Sequence, residues 1–358
     1  MNKESVMALL AEIVDENSSR DLVSAGTVRE VGIHEDRVSV DVRLGYPLAD
    51  KGEKLVAAIK DRLESDPEID TASVNISSKV MPHKVQEDLK PLDTISNIIA
   101  VGSGKGGVGK STTAVNLALA LQSEGARVGL LDADIYGPSI PSMLGVKGQP
   151  STDGEHIIPK EAHGLKVMSI GFLVDEDSAM IWRGPMVTSA LQQLLGDTLW
   201  GPLDYLIIDL PPGTGDIQLT LAQRIPVAGA VIVTTPQDIA LLDARRAVHM
   251  FRKVDVPVLG VVENMSTHIC TACGHEEAIF GHGGGEQMAE DFELPLLGRL
   301  PLTMEIRSAL DEGKPTMVQS PDSSVAQSYR NMALRTAGEL SVKPRSMSLQ
   351  MPDILVQN

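Results

Sequence analysis

Residues 104–112 read Gly-Lys-Gly-Gly-Val-Gly-Lys-Ser-Thr, and Gly104 to Ser111 fits the spacing G-x-x-x-x-G-K-S. Glycines this close together (Gly104, Gly106, Gly107 and Gly109) let the backbone curl until successive N–H groups converge on phosphate oxygens. Val108 lies inside that curl and Thr112 at its exit. Lys110 brings a compact charge for the β- and γ-phosphates, and the Ser111 hydroxyl suits a magnesium ligand. The chemistry implied is binding of a nucleoside triphosphate and phosphoryl transfer. Such a site needs carboxylates. Asp132-Ala133-Asp134 and Asp209 each follow an apolar run, and Asp209 stands where an acid holds the magnesium shell. A glycine-rich surface turn is the bland alternative. It leaves unexplained why strand, glycines, Lys-Ser and helix all fall in register.

A second constellation is sulfur. Cys270 and Cys273 are the only cysteines in 358 residues, and C-x-x-C lets both thiolates face one metal centre. Four sulfurs ordinarily complete an iron–sulfur cluster. One chain offers two, and a twofold dimer would offer the other pair. His268, His275 and His282 lie nearby, so an intrachain Cys₂His₂ zinc site also remains open. A redox dithiol is a third reading, although the motif opens no evident helix.

Elements must position these groups. Apolar runs at 98–101, 128–131, 167–170, 205–208, 230–234, 258–262 and 296–300 alternate with helical patterns, including 113–123, 186–195, 239–253 and 323–341. Continuous apolar strands between helices predict an α/β domain with a mostly parallel sheet covered on both faces. Ligands of such sheets sit beyond the carboxyl ends of the strands, where residues 104–112, Asp134 and Asp209 all fall. The first part differs. Helical periodicity at 4–14 and 51–63, strands at 26–33 and 71–76, and the alternating Val38, Val40, Val42 and Leu44 predict a small α+β domain over residues 1–80. Residues 81–95 carry Pro82, Pro91 and several charges and read as a linker. The ATPase-like domain then spans 96–342, and 343–358 reads as a flexible tail.

Composition narrows the partners. With 31 basic and 48 acidic residues the net charge is −17, a field that repels nucleic acid. No apolar run reaches the length of a membrane span. Residues 1–15 carry acids among their apolar residues and do not read as a secretory signal. Two cysteines make no disulfide framework, so a cytoplasmic protein is expected.

Lys105, directly after the first glycine, turns the loop into the deviant Walker A sequence KGGVGK, and the chain resembles the ParA/MinD class of P-loop ATPases. That resemblance implies ATP with Mg²⁺ and a face-to-face homodimer in which Lys105 reaches the partner's nucleotide. It also implies that Asp134 positions the attacking water and that Asn264 contacts adenine. Residues 132–139 (Asp-Ala-Asp-Ile-Tyr-Gly-Pro-Ser), residues 209–216 (Asp-Leu-Pro-Pro-Gly-Thr-Gly-Asp), and Glu263-Asn264-Met265 followed by Cys270-Thr271-Ala272-Cys273 further resemble the Mrp-type iron–sulfur carrier family. That likeness runs from about residue 97 to about residue 340. The front domain resembles an iron–sulfur-assembly-associated domain, whose members often carry a cysteine, yet residues 1–96 have none. The resemblance implies an ATP-hydrolysing carrier whose four-iron cluster bridges the dimer and passes to apo-proteins. A spatial-organising ATPase, a nitrogenase-type reductase and a non-catalytic nucleotide module are the competing classes. The reductase needs widely separated cysteines, the spatial organiser a basic face or terminal helix, and the inert module no competent Lys110, Ser111, Asp134 and Asp209.

Overall fold

Alternation along residues 37–44 decides the front unit. Val38, Val40, Val42 and Leu44 are at most 2% exposed, so one face of their strand is core and the other is solvent. The computed structural model describes residues 1–49, 52–173, 184–270 and 273–346. Its front elements are α1 (Lys3–Leu10), β1 (Val14–Asp15), β2 (Arg20–Asp21), β3 (Val28–His34), β4 (Arg37–Leu44), α2 (Glu53–Glu64) and β5 (Thr71–Ser78). β3 and β4 form an antiparallel hairpin whose turn residue Glu35 has φ 56°, and β5 joins β4 in parallel after α2. The expected first helix stops at Leu10. Beyond it Ile13 turns inward while Val14 pairs with Asp21, so the apolar spacing that read as helix continues into a buried turn. The expected start of α2 at residue 51 lies outside the described residues.

The larger unit begins with β6 (Ile95–Gly102), α3 (Lys110–Ser123), β7 (Val128–Asp132), α4 (Ile140–Met143), β8 (Ser151–Thr152), β9 (Ile157–Ile158), β10 (Lys160–Ala162) and β11 (Leu165–Ser169). It continues with α5 (Gly184–Gly196), β12 (Leu203–Asp209), α6 (Asp216–Arg224), β13 (Gly229–Thr234), α7 (Asp238–Lys253) and β14 (Val258–Glu263). β15 (His268–Ile269), β16 (Glu276–Glu277), α8 (Gly284–Asp291), β17 (Leu296–Arg299), α9 (Met304–Asp311), α10 (Thr316–Gln319) and α11 (Ser324–Ser341) complete it. The main sheet runs β10-β11-β7-β12-β6-β13-β14-β17. Its neighbours pair in parallel except β10, an antiparallel edge. This is the expected α/β architecture, and its strands are continuous apolar runs because both faces are covered. The chain leaves β6 across β12 to β7, and later returns across β6 from β12 to β13. That reversal opens a crevice at the carboxyl ends of β6, β7 and β12. α3 is the inner helix. Ala114, Val115, Leu117, Ala118 and Ala120 are fully buried, as a helix that is apolar all round must be.

The segment after β5 is a strap fastened to the larger unit. His83 donates its backbone N–H to Asn97 Oδ1 at 3.0 Å. Gln86, also buried, donates to the carbonyls of Ala222 and Ile225 and accepts from the N–H of Val227. Of the tail expected at 343–358, Lys84 N–H bonds Pro344 O, and His83 forms a bridge with Arg345; residues 347–358 lie outside the described ones. The front unit rests on α11, where a Cβ at Gly338 would come 2.2 Å from Asn17 O.

Candidate functional site

The phosphate loop is shaped by what its glycines allow. Gly107 and Gly109 both have φ 81°, a left-handed geometry that side chains resist. A Cβ on Gly104 would lie 2.1 Å from the carbonyl carbon of Asp243, so α7 presses directly on the loop. One on Gly107 would meet nothing within 4 Å, so the loop's open face is a cradle. Lys105, Gly106, Gly107, Gly109, Lys110, Ser111, Thr112 and Asp134 line the resulting cavity of about 200 Å³. α3 starts inside it at Lys110, with its first N–H groups facing the cradle. Val108 points inward and is 2% exposed.

Two acids converge there. Lys110 Nζ lies 2.7 Å from Asp209 Oδ1 and 3.5 Å from Asp134 Oδ2. Ser111 Oγ donates to Asp209 Oδ2 at 2.5 Å. Asp209 is fully buried; burial pushes its carboxyl above the usual range, and the Lys110 ammonium with the Lys110 and Ser111 hydrogen bonds pulls it back. Asp134 lines the cavity, and its Oδ1 is buried without a hydrogen-bond partner, an orphan acceptor. The hydroxyl of Ser111 and the carboxylates form an oxygen donor set that suits a hard cation. Asp132 plays another part. It accepts from Asp134 N–H, Ile140 N–H and Ser169 Oγ, tying the 133–140 loop to the sheet. Burial, and next the charge of Asp209, push its carboxyl up to about 7.

A second cavity of about 610 Å³ adjoins the first through Gly109, Thr112 and Met143, and is walled by Asn264, Pro301, Leu302 and Ile306. Asn264 Nδ2 donates to Val108 O at 2.8 Å, and a Cβ on Gly109 would strike that nitrogen. The structure therefore brings Asn264 against the phosphate loop, on the border of the two cavities. Cys270 and Cys273 stand apart, on a hairpin made by β15 and β16. Cys270 N–H bonds His275 O, and Gly274 N–H bonds Cys270 O; residues 271–272 lie outside the described ones. Cys273 is exposed, Cys270 partly so. His268 Nδ1 bonds Leu302 O, while His275 and His282 are exposed.

Comparison with known proteins meets this geometry. Residues 94–337 match the family described as NUBPL iron-transfer P-loop NTPase, of the ParA type. The chain belongs to that family. Residues 3–76 match a second family, described as iron-sulfur cluster assembly protein. The iron-sulfur cluster carrier protein of Haemophilus influenzae is 50% identical over 340 residues, covering 94% of this chain and 92% of that one. Its counterpart in Escherichia coli strain K12 is 61% identical over 251 residues, 70% of this chain and 68% of that one. Among solved structures, a nucleotide-binding protein from Archaeoglobus fulgidus in complex with ADP is 38% identical, with TM-score 0.59, over 66% of this chain and 93% of that one.

Within this P-loop NTPase, residues outside the motifs also build the site. Gln218 of α6 donates to Pro212 O at 2.6 Å, and Gly213 N–H bonds Ser103 O. Together they seat the loop after Asp209 on the phosphate loop. Gln218 had only a weak signal, a polar residue on the inner face of a short helix. Ser103 Oγ donates to Lys105 O, fixing the peptide that carries Lys105. Among the described residues, no helix is long and apolar enough to cross a membrane.

Proposed function

We propose that the protein binds ATP, hydrolyses it slowly, and carries an iron–sulfur cluster that it delivers to apo-proteins. The observation that carries this reading is the hairpin. It displays the chain's two cysteines, and its stem is bonded through His268 to Leu302, a wall residue of the nucleotide cavity. In this reading Cys270 and Cys273 of two subunits share one four-iron cluster. The exposure of Cys273 suits a cargo that must be handed on.

At the other end, Lys110 exchanges its carboxylate partner for the β- and γ-phosphates. Gly104, Gly106, Gly107, Val108, Gly109 and Thr112 shape and supply the N–H cradle. Ser111 and Asp209 would hold magnesium, supported by their shared hydrogen bond and oxygen chemistry. Bound there, the ion would spread the charge that develops on phosphate oxygens. Asp134 offers its unpartnered oxygen to the attacking water. Asn264 spends its N–H on Val108 and keeps its carbonyl as an acceptor for the adenine amino group. Lys105, half-exposed at the cavity rim, reaches a partner's nucleotide in a homodimer.

Anaerobic reconstitution with iron and sulfide tests the cargo. The expected result is about four iron atoms per dimer, lost in Cys270→Ala and Cys273→Ala. ATPase activity should survive both changes. One zinc per chain, with no iron taken up, overturns the carrier reading.

A further inference from the structure

Glu263 closes β14 and is fully buried. Its carboxylate is met from three sides. Ser266 Oγ donates to Oε1 at 2.7 Å, Gly285 N–H donates to Oε2 at 2.6 Å, and Arg299 Nε stands 3.9 Å from Oε1. A carboxylate at the end of a core strand is costly to desolvate unless such donors are fixed around it. The donors come from both ends of one excursion. Ser266 leads out to the cysteine hairpin, and Gly285 lies in the first turn of α8, where the chain has come back. Glycine is required on the return: a Cβ at Gly285 would lie 2.8 Å from the Cβ of Glu263, and one at Gly284 2.7 Å from Pro236 O.

The same stretch also touches the nucleotide cavities. Asn264, the next residue, bonds Thr234 O through its backbone and Val108 O through its side chain. Ser266 N–H bonds Leu300 O, Leu302 N–H bonds Thr267 O, and His268 bonds Leu302 O. Residues 263–268 thus form a short bar. One end touches the phosphate loop, its flank is stitched to the cavity wall at 300–302, and its far end bears the hairpin. We propose that Glu263 is a positioning residue: by fastening the segments that lead into and return from the hairpin to this bar, it makes the placement of Cys270 and Cys273 follow nucleotide occupancy. This rests on the reading of the hairpin as the cargo site.

Because Cys270 and Cys273 are the only thiols, their alkylation by N-ethylmaleimide reports the hairpin alone. The measurement uses full-length, reduced, iron-free protein with and without Mg-ATP or Mg-ADP. In the unaltered chain, nucleotide should change the alkylation rate about 5-fold or more. Glu263→Gln sets an amide N–H₂ against a donor, and Ser266→Ala removes one hydrogen bond. Both should bind nucleotide within about twofold of the parent yet lose the rate ratio. Should Glu263→Gln fail to fold, Ser266→Ala decides. A Glu263 with a merely structural role would shift the rates with and without nucleotide alike and leave their ratio intact; that result, or an unaltered chain indifferent to nucleotide, overturns the proposal. A preserved, Glu263-dependent ratio in protein that takes up no iron supports the coupling while overturning the carrier reading.

Discussion

Lys110 sits between Asp209 and Asp134 with 6% of its side chain exposed, so its charge is balanced inside the protein. A phosphate must compete for that ammonium with a carboxylate that has no water to fall back on. Lys110→Ala should therefore carry two penalties that are measured separately. Phosphate release should fall by on the order of 10³-fold, because the charge on the β- and γ-phosphates is gone. Stability should also fall by about 3–5 kcal/mol, because Asp209 is left buried and unpaired. Denaturant unfolding checks the second loss, and adding Asp209→Asn should restore most of it. A Lys110→Ala protein as stable as its parent would show that the pair does not hold the core. The phosphate loop was legible in the sequence because its chemistry depends on the order of nine adjacent residues. The part played by Glu263 was not, since its partner Gly285 is 22 residues away and nothing local marks the contact.

Among the elements, the strands and long helices followed from apolar spacing, whereas α6, α8 and α9 did not. At eight or nine residues each, they give little more than two turns of periodicity to recognise. The strap escaped for a different reason. Its prolines and charges read as linker, but Gln86 reaches carbonyls 136 and 139 residues away at the end of α6. Its neighbour His83 makes the strap sensitive to acid. Burial pushes the imidazole below its ordinary value of 6.5, against the hydrogen bond that its Nδ1–H donates to Asn97 Oδ1. The unfolded chain therefore takes up the proton first. Stability from this group is complete above the ordinary value and is lost as pH falls below it. Because the raised carboxyl of Asp132 works in the opposite sense over the same range, the test is the difference: from about pH 7.5 to pH 5.5 the parent should lose stability relative to His83→Gln. Equal slopes would mean that His83 is not held neutral.

At the scale of the molecule, the proposed homodimer is the arrangement in which Lys105 would act. Lys105→Ala and Asp134→Ala subunits should each be inactive alone. Mixed, their heterodimers keep one site with an intact Asp134 and a donated Lys105, so part of the phosphate release should return. Heterodimers that form, by native mass spectrometry, yet stay inactive would count against lysine donation between subunits. Net charge and the family motifs set the broad class from sequence, but how the front unit sits on α11 depends on a close approach at Gly338 that composition does not record. The bridge between His83 and Arg345 has a further consequence. It brings the two ends of the P-loop unit side by side, so this unit is a closed cassette with a single doorway. A front domain can be added or removed at that doorway without rethreading any strand, and the unit's own two ends could be joined across it by a short peptide while new termini are cut elsewhere.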